Sequence, residues 1–196
     1  MNARDAVLSA LRRAAPPRVP LPDAAPGIVY PDPEKQFAEM VGAVGGRFVR
    51  VPDLAALNFE LGKIEAYAQA KLVATLVPGA GIATVDLSAV KDPHELDRLD
   101  FSIIPGELGV AENGAVWIPG STLGPHRAVF VVCQHLAIVV PAGRIVNNMQ
   151  EAYARLVIER PGYGLFISGP SKTADIEQAL VIGAHGARSC TVFVVG

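Results

Sequence analysis

The sequence predicts an α/β protein: a largely parallel central sheet with helices on both faces and an antiparallel insertion. Three observations carry that expectation. From residue 34 to the C-terminus, apolar runs of strand length alternate with segments of helical spacing. Strand and helix in alternation imply crossover units, which build parallel sheets covered on both faces. Residues 106–140 break the alternation, with several strand-like runs and no helical stretch. They read as an antiparallel insertion or edge.

In chain order, residues 3–14 read as a helix with Val7, Leu8 and Leu11 on one face and Asn2 as its N-cap. Residues 16–33 hold seven prolines and read as an extended arm. The chain thus divides into residues 1–33, helix and arm, and residues 34–196, the α/β domain. The short helix needs a surface to pack on, its own domain or a second copy, and a homo-oligomer joined through the arm is one expectation. Helix is expected at 34–43, 54–69, 93–99, 147–159 and 173–182. In 54–69, Leu54, Leu57, Leu61, Ile64 and Ala68 share one face. Strands are expected at 47–51, 71–77, 101–104, 164–168 and 190–195, and the apolar runs AVFVV (128–132) and HLAIVV (135–140) have strand length.

Composition narrows the function. The 196 residues are 51% hydrophobic and 18% charged, enough for one sizeable core. With 17 basic and 19 acidic residues, net charge −2, the chain lacks the basic footprint of a nucleic-acid binder. No apolar run reaches bilayer length, and the N-terminus lacks the apolar core of a signal peptide. Two cysteines, Cys133 and Cys190, fit a reduced, cytoplasmic setting better than a disulfide framework. Two thiols also cannot ligate a four-thiolate iron–sulfur cluster within one chain.

Four stretches carry chemistry. Residues 164–173, GLFISGPSKT, have the glycine spacing of a phosphate-binding loop, but Pro170 and Ser171 intervene before Lys172, and proline offers no N–H. The expected helix N-terminus could still hold an anion, with Ser171, Lys172 and Thr173 as donors. The alternative is a capped helix, with Asp175 complementing its dipole. In GVAENGAVW (109–117), Asn113-Gly114 signals a type I′ hairpin, and Glu112 stands before it as a candidate base or nucleophile. In GAHGA (183–187), His185 lies between two glycines, either facing a ligand or simply occupying a turn. His126, Cys133 and His135 match no zinc spacing, and no metal site is expected. Arg127, beside a turn, suits a carboxylate or phosphate.

Taken together, ISGPSKTADIEQALVIGAHGA (167–187), VAENGAVWIPG (110–120) and QHLAIVVPAGRIVNNMQEAY (134–153) resemble signatures of the LUD (lactate utilisation) domain family. The likeness covers roughly residues 35–196. HRAVFVVCQH (126–135) departs from it by lacking a Leu-Pro before the histidine. The resemblance implies a fold like that of the ribose-phosphate isomerase, glucosamine-phosphate deaminase and CoA-transferase superfamily. It implies a subunit of a lactate-oxidation system that helps convert L-lactate to pyruvate and binds a small anionic ligand. Iron–sulfur clusters would reside in separate partner proteins, none in this chain. The implied site, at the C-terminal ends of the strands, gathers Glu112 and His185 as proton-handling or catalytic groups. Arg127, Ser168, Gly169, Ser171, Lys172, Thr173 and Asp175 would bind the ligand. AENG also resembles the glutamate motif of CoA-transferases, which makes an independent CoA-transferase-like or sugar-phosphate enzyme using Glu112 one alternative. A non-catalytic assembly or sensing subunit is the other.

Overall fold

The computed structural model describes residues 2–17, 19–20, 26–157, 162–174 and 180–196. Helix α1 spans Ala3–Ala14 and is capped by the Asn2 side chain, which accepts from the Asp5 amide. After the arm, α2 (Pro33–Ala43) starts on Asp32 with proline in its first turn. Strand β1 (Arg47–Val51) leads to α3 (Leu54–Gly62), capped by Asp53, and α4 (Glu65–Ala68). The single helix expected over 54–69 is therefore two. Gly62 weakens the helix, and Ile64 turns to extended backbone. That turn lets α4 set Tyr67 edge-on against Phe101 at 5.2 Å. Next come β2 (Val73–Thr75) and β3 (Phe101–Pro105), then β4 (Leu108–Val110) and β5 (Ala115–Pro119). The short helices α5 (Gly120–Leu123) and α6 (Val129–Val132) follow, then β6 (His135–Pro141), β7 (Ile145–Val146) and α7 (Met149–Arg155). The chain continues through β8 (Gly164–Ile167), β9 (Lys172–Ala174), β10 (Leu180–Ile182) and β11 (Ser189–Val195).

The central sheet has the order β1-β11-β6-β3-β2, and every pair is parallel. Alternation sorts its side chains. Phe101, Ile103, Ala137, Val139 and Phe193 pack with Leu57 and Leu61 of α3. Ile104, Leu136, Ile138, Val192 and Val194 face the other way, toward Phe37 and Val41 of α2. Burial on both faces is why β6 and β11 are apolar at nearly every position.

The insertion does more than thicken an edge. Strands β4 and β5 pair antiparallel and recruit β7 and β8 into a separate four-stranded sheet, β7-β4-β5-β8. One face of this sheet, with Val116, Ile118 and Leu165, joins the core of the central sheet. The other, with Leu108, Val110 and Trp117, packs under α7. Sequence reading placed a strand-like run at 128–132, and the structure makes it a helical turn. Buried Val129 and Cys133 stand four apart, a helical spacing, while Val131 is exposed. The buried Ser102 hydroxyl donates to the Val129 carbonyl.

A second correction concerns the expected helix at 173–182. Residues 172–174 and 180–182 are instead an antiparallel pair, with Thr173 opposite Val181. Its neck is closed by two bonds, the Gly183 amide to the Ser171 carbonyl and the Ser171 amide to the Ala187 carbonyl, both 2.9 Å. Among the described residues this segment has no helix N-terminus to offer an anion.

Candidate functional site

The Gly-Pro-Ser-Lys-Thr loop and the Gly-Ala-His-Gly turn meet. Gly169 leaves β8 in the left-handed region (φ 71°), where a Cβ would stand 2.5 Å from the Val44 carbonyl oxygen, so only glycine fits without movement. Pro170 is buried. The Ser171 side chain then lies against Gly186, whose absent Cβ would meet the Ser171 Cβ at 3.1 Å. The Thr173 hydroxyl and His185 Nδ1 are 3.2 Å apart across the neck. Loop residues 168–171 and turn residues 185–187 border a cleft of about 260 Å³, with Phe130, Leu136 and Phe166 as apolar wall and Ser168, Ser171 and His185 as polar rim. An apolar floor with a few converging polar groups is the usual form of a small-molecule site.

Lys172 sits beside this cleft with its ammonium on carbonyl oxygens. Its Nζ donates to Val44 at 2.6 Å and to Ser168 at 3.3 Å. Val44 is the C-cap of α2, so the charge also meets the negative end of that helix. An ammonium carries three protons, and two are committed here. The Ser168 hydroxyl donates to the Asn113 carbonyl at 2.9 Å, tying the loop to the β4–β5 turn. Asp175 lies outside the described residues.

The cleft opens at the N-terminal ends of the main strands, not the C-terminal ends that the resemblance implied. Leu136 is the second residue of β6, Ala187 precedes β11, and Val44 precedes β1. The loop reaches that edge because it leaves the end of β8, which belongs to the smaller sheet.

Glu112 and Arg127 are elsewhere. The β4–β5 connection is a four-residue loop, since Val110 pairs with Ala115 and the Gly114 amide donates to the Val110 carbonyl. The two-residue type I′ turn expected from Asn113-Gly114 gives way to this loop. Gly114 still supplies a positive φ of 65°, and the Asn113 side chain accepts from the Ala115 amide. The Glu112 carboxylate accepts from the Met149 amide at 3.0 Å, at the first turn of α7, and Glu112 does not line the cleft. Arg127 lies over the Tyr163 ring at 4.9 Å and lines a different cleft of about 370 Å³ with Glu107, Trp117 and Ser121.

Two features escaped the sequence reading. The arm is tied down by an asparagine pair: Asn147 Oδ1 accepts from the Tyr30 amide, and Asn148 Nδ2 donates to the Ile28 carbonyl. Adjacent asparagines before a helix announce a cap, but not a partner some 117 residues away. The apolar wall of Phe130 and Phe166 was indistinguishable from core. Among the described residues no three His, Cys, Asp or Glu side chains gather as a metal site. No helix among them is long and apolar enough to cross a membrane.

Comparison with known proteins agrees with these motifs. A family model described as LUD domain matches residues 90–195. Lactate utilization protein C of Shouchella clausii is 34% identical over 108 residues, which cover 52% of this chain and 46% of that protein. The protein of the same name from Deinococcus radiodurans is 27% identical over 188 residues, 89% of this chain and 88% of that one. The Bacillus pumilus protein is 34% identical over 116 residues, 54% and 48%. The chain thus spans about half the length of several curated relatives that it matches. A crystal structure of a DUF162 family protein from Deinococcus radiodurans superposes with a TM-score of 0.58 at 21% identity, covering 84% of this chain and 96% of that one.

Proposed function

The chain belongs to the LUD domain family, and from that premise we propose that it is a subunit of a lactate-oxidation system. In this reading it works beside separate iron–sulfur proteins in converting L-lactate to pyruvate. Relatives named for lactate utilization support the role. The observation that carries it is the convergence of Gly-Pro-Ser-Lys-Thr and Gly-Ala-His-Gly, 14 residues apart in sequence by the first glycines, on one apolar-floored cleft. Ser171, the free Lys172 proton and Thr173 would hold a small carboxylate or phosphate beside Ser168, whose own hydroxyl proton is spent on Asn113. His185, fixed by Thr173, would exchange a proton with it. Oxidation of lactate to pyruvate releases two electrons and two protons. In this reading partner clusters would accept the electrons, His185 would take one proton and solvent the other, and the buried thiols Cys133 and Cys190 would stay out of the reaction.

The test is growth on L-lactate in a strain whose only copy is Ser171→Ala/His185→Ala. Growth should fall at least tenfold in rate or yield while the purified chain keeps its circular dichroism and still captures the iron–sulfur proteins. Wild-type growth would remove the cleft from the function.

One observation favours a second reading, an assembly subunit. Leu180, Val181 and Ile182 of β10 are 61%, 46% and 53% exposed beside the cleft, an apolar patch suited to a partner. The covalent role for Glu112 has no comparable support, since its carboxylate already serves the first turn of α7.

A further inference from the structure

A second polar pocket, of about 220 Å³, lies at the same edge of the central sheet but on its opposite face. Alternation along β6 separates the two. Leu136 turns toward the cleft, whereas His135 turns to the α3–α4 side and stacks on Phe101 with ring centroids 6.3 Å apart. The backbone around the pocket is braced by three bonds: Gln134 N to Leu99 O, His135 N to Asp100 O, and Arg188 N to Gln134 O, all 2.8–3.0 Å. The side chains are held as well. Asp100 Oδ2 accepts from the Lys71 and Leu72 amides at 2.8 and 2.9 Å, which keeps this carboxyl below the usual range. His135 Nδ1 bonds the Ser189 hydroxyl at 2.8 Å. Burial, with Arg188 second, pushes the imidazole pKa down against the weaker pull of Asp100.

Two opposite charges line this pocket without joining. No ion pair within 4 Å among the described residues contains Asp100 or Arg188. Asp100 Oδ1 takes no hydrogen bond among them either. A simple anion would meet the Asp100 carboxylate, and a simple cation the Arg188 guanidinium, so each would lose at one end what it gained at the other. A zwitterion satisfies both. We propose that the pocket binds a small α-amino acid, its carboxylate on the Arg188 fork and its ammonium on Asp100 Oδ1. Ala66 and Ala70, with Gln69 and Gln134, wall the remaining space, which suits a small side chain. The site is separate from the cleft and does not rest on the lactate reading.

Calorimetric titration of the full chain, in the Ser171→Ala/His185→Ala background that disables the cleft, with L-alanine, L-lactate and ethylammonium tests this. L-Alanine should bind saturably, and the two half-charged probes at least tenfold more weakly. Arg188→Gln, on an exposed side chain, should weaken L-alanine at least tenfold with unchanged circular dichroism. Arg50→Gln, on an exposed side chain of β1 in neither site, should leave it unchanged. Equal affinity for L-lactate, undiminished affinity in Arg188→Gln, loss in Arg50→Gln, or no saturation by about 10 mM, weaker than about −4 kcal/mol, would each overturn the proposal.

Discussion

At the scale of the residue, the two cysteines illustrate how burial decides reactivity. Both thiols are almost fully enclosed, Cys133 at 1% exposure and Cys190 at 2%. Burial pushes their pKa values up to about 11 and about 12, and Cys133 adds to the shift of Cys190. The sign follows from linkage. A thiol whose folded pKa is raised favours the folded state below the unfolded pKa of about 8.5 and disfavours it as pH climbs above that value. Urea midpoints should therefore fall between pH 8 and 10 more steeply in the wild type than in Cys133→Ala/Cys190→Ala, once each is referred to its own pH 7 value. Equal slopes would deny the linkage. Glu112 shows the converse lesson, that a residue type suited to catalysis can be spent on the backbone, here on the Met149 amide.

At the scale of the element, the arm and α7 form one cooperative unit through Asn148. Its Oδ1 accepts from the Glu151 amide as N-cap, while its Nδ2 holds the Ile28 carbonyl, and the side chain is 2% exposed. Asn148→Ala removes the cap, worth about 0.5–2 kcal/mol, and frees the arm. Chemical denaturation should show that loss, and thermolysin should cut faster at Ile28 and Val29. A stability loss with unaltered proteolysis would mean that the arm is held elsewhere. Elements also explain where periodicity misled. Residues 172–174 and 180–182 carry spacing compatible with a helix, yet the bonds between Gly183, Ser171 and Ala187 commit them to an antiparallel pair. Local propensity loses to backbone pairing when both ends of a segment are pinned together.

At the scale of the whole molecule, stability resides in the two faces of the five-stranded sheet, and α1 contributes little to it. No residue of α1 is buried, and Val7 and Leu11 are 58% and 63% exposed. Deleting residues 2–14 should shift Tm by less than about 3 °C, the equivalent of about 1 kcal/mol at this length. A larger drop would show that α1 packs on the domain or on a second copy, and light scattering separates these by whether the mass changes.

The sequence by itself determined the alternating core. Strands expected at 47–51, 101–104, 135–140 and 190–195 and the helix expected at 34–43 are written in apolar runs and caps and lie within the observed elements, since burial on both faces demands near-continuous apolar strands and an exposed helix end demands a cap. It also determined family membership through Gly-Pro-Ser-Lys-Thr and Gly-Ala-His-Gly, whose glycines answer to backbone needs such as the close approach of Gly169 to Val44. Only the tertiary structure decided which of these residues share a cleft. Joining β7 and β8 to β4 and β5 swung the loop after β8 to the N-terminal edge of the main sheet, setting Ser171 and His185 together and Arg127 in another cleft. Pairing between strands distant in sequence sets that choice, and no local pattern encodes it.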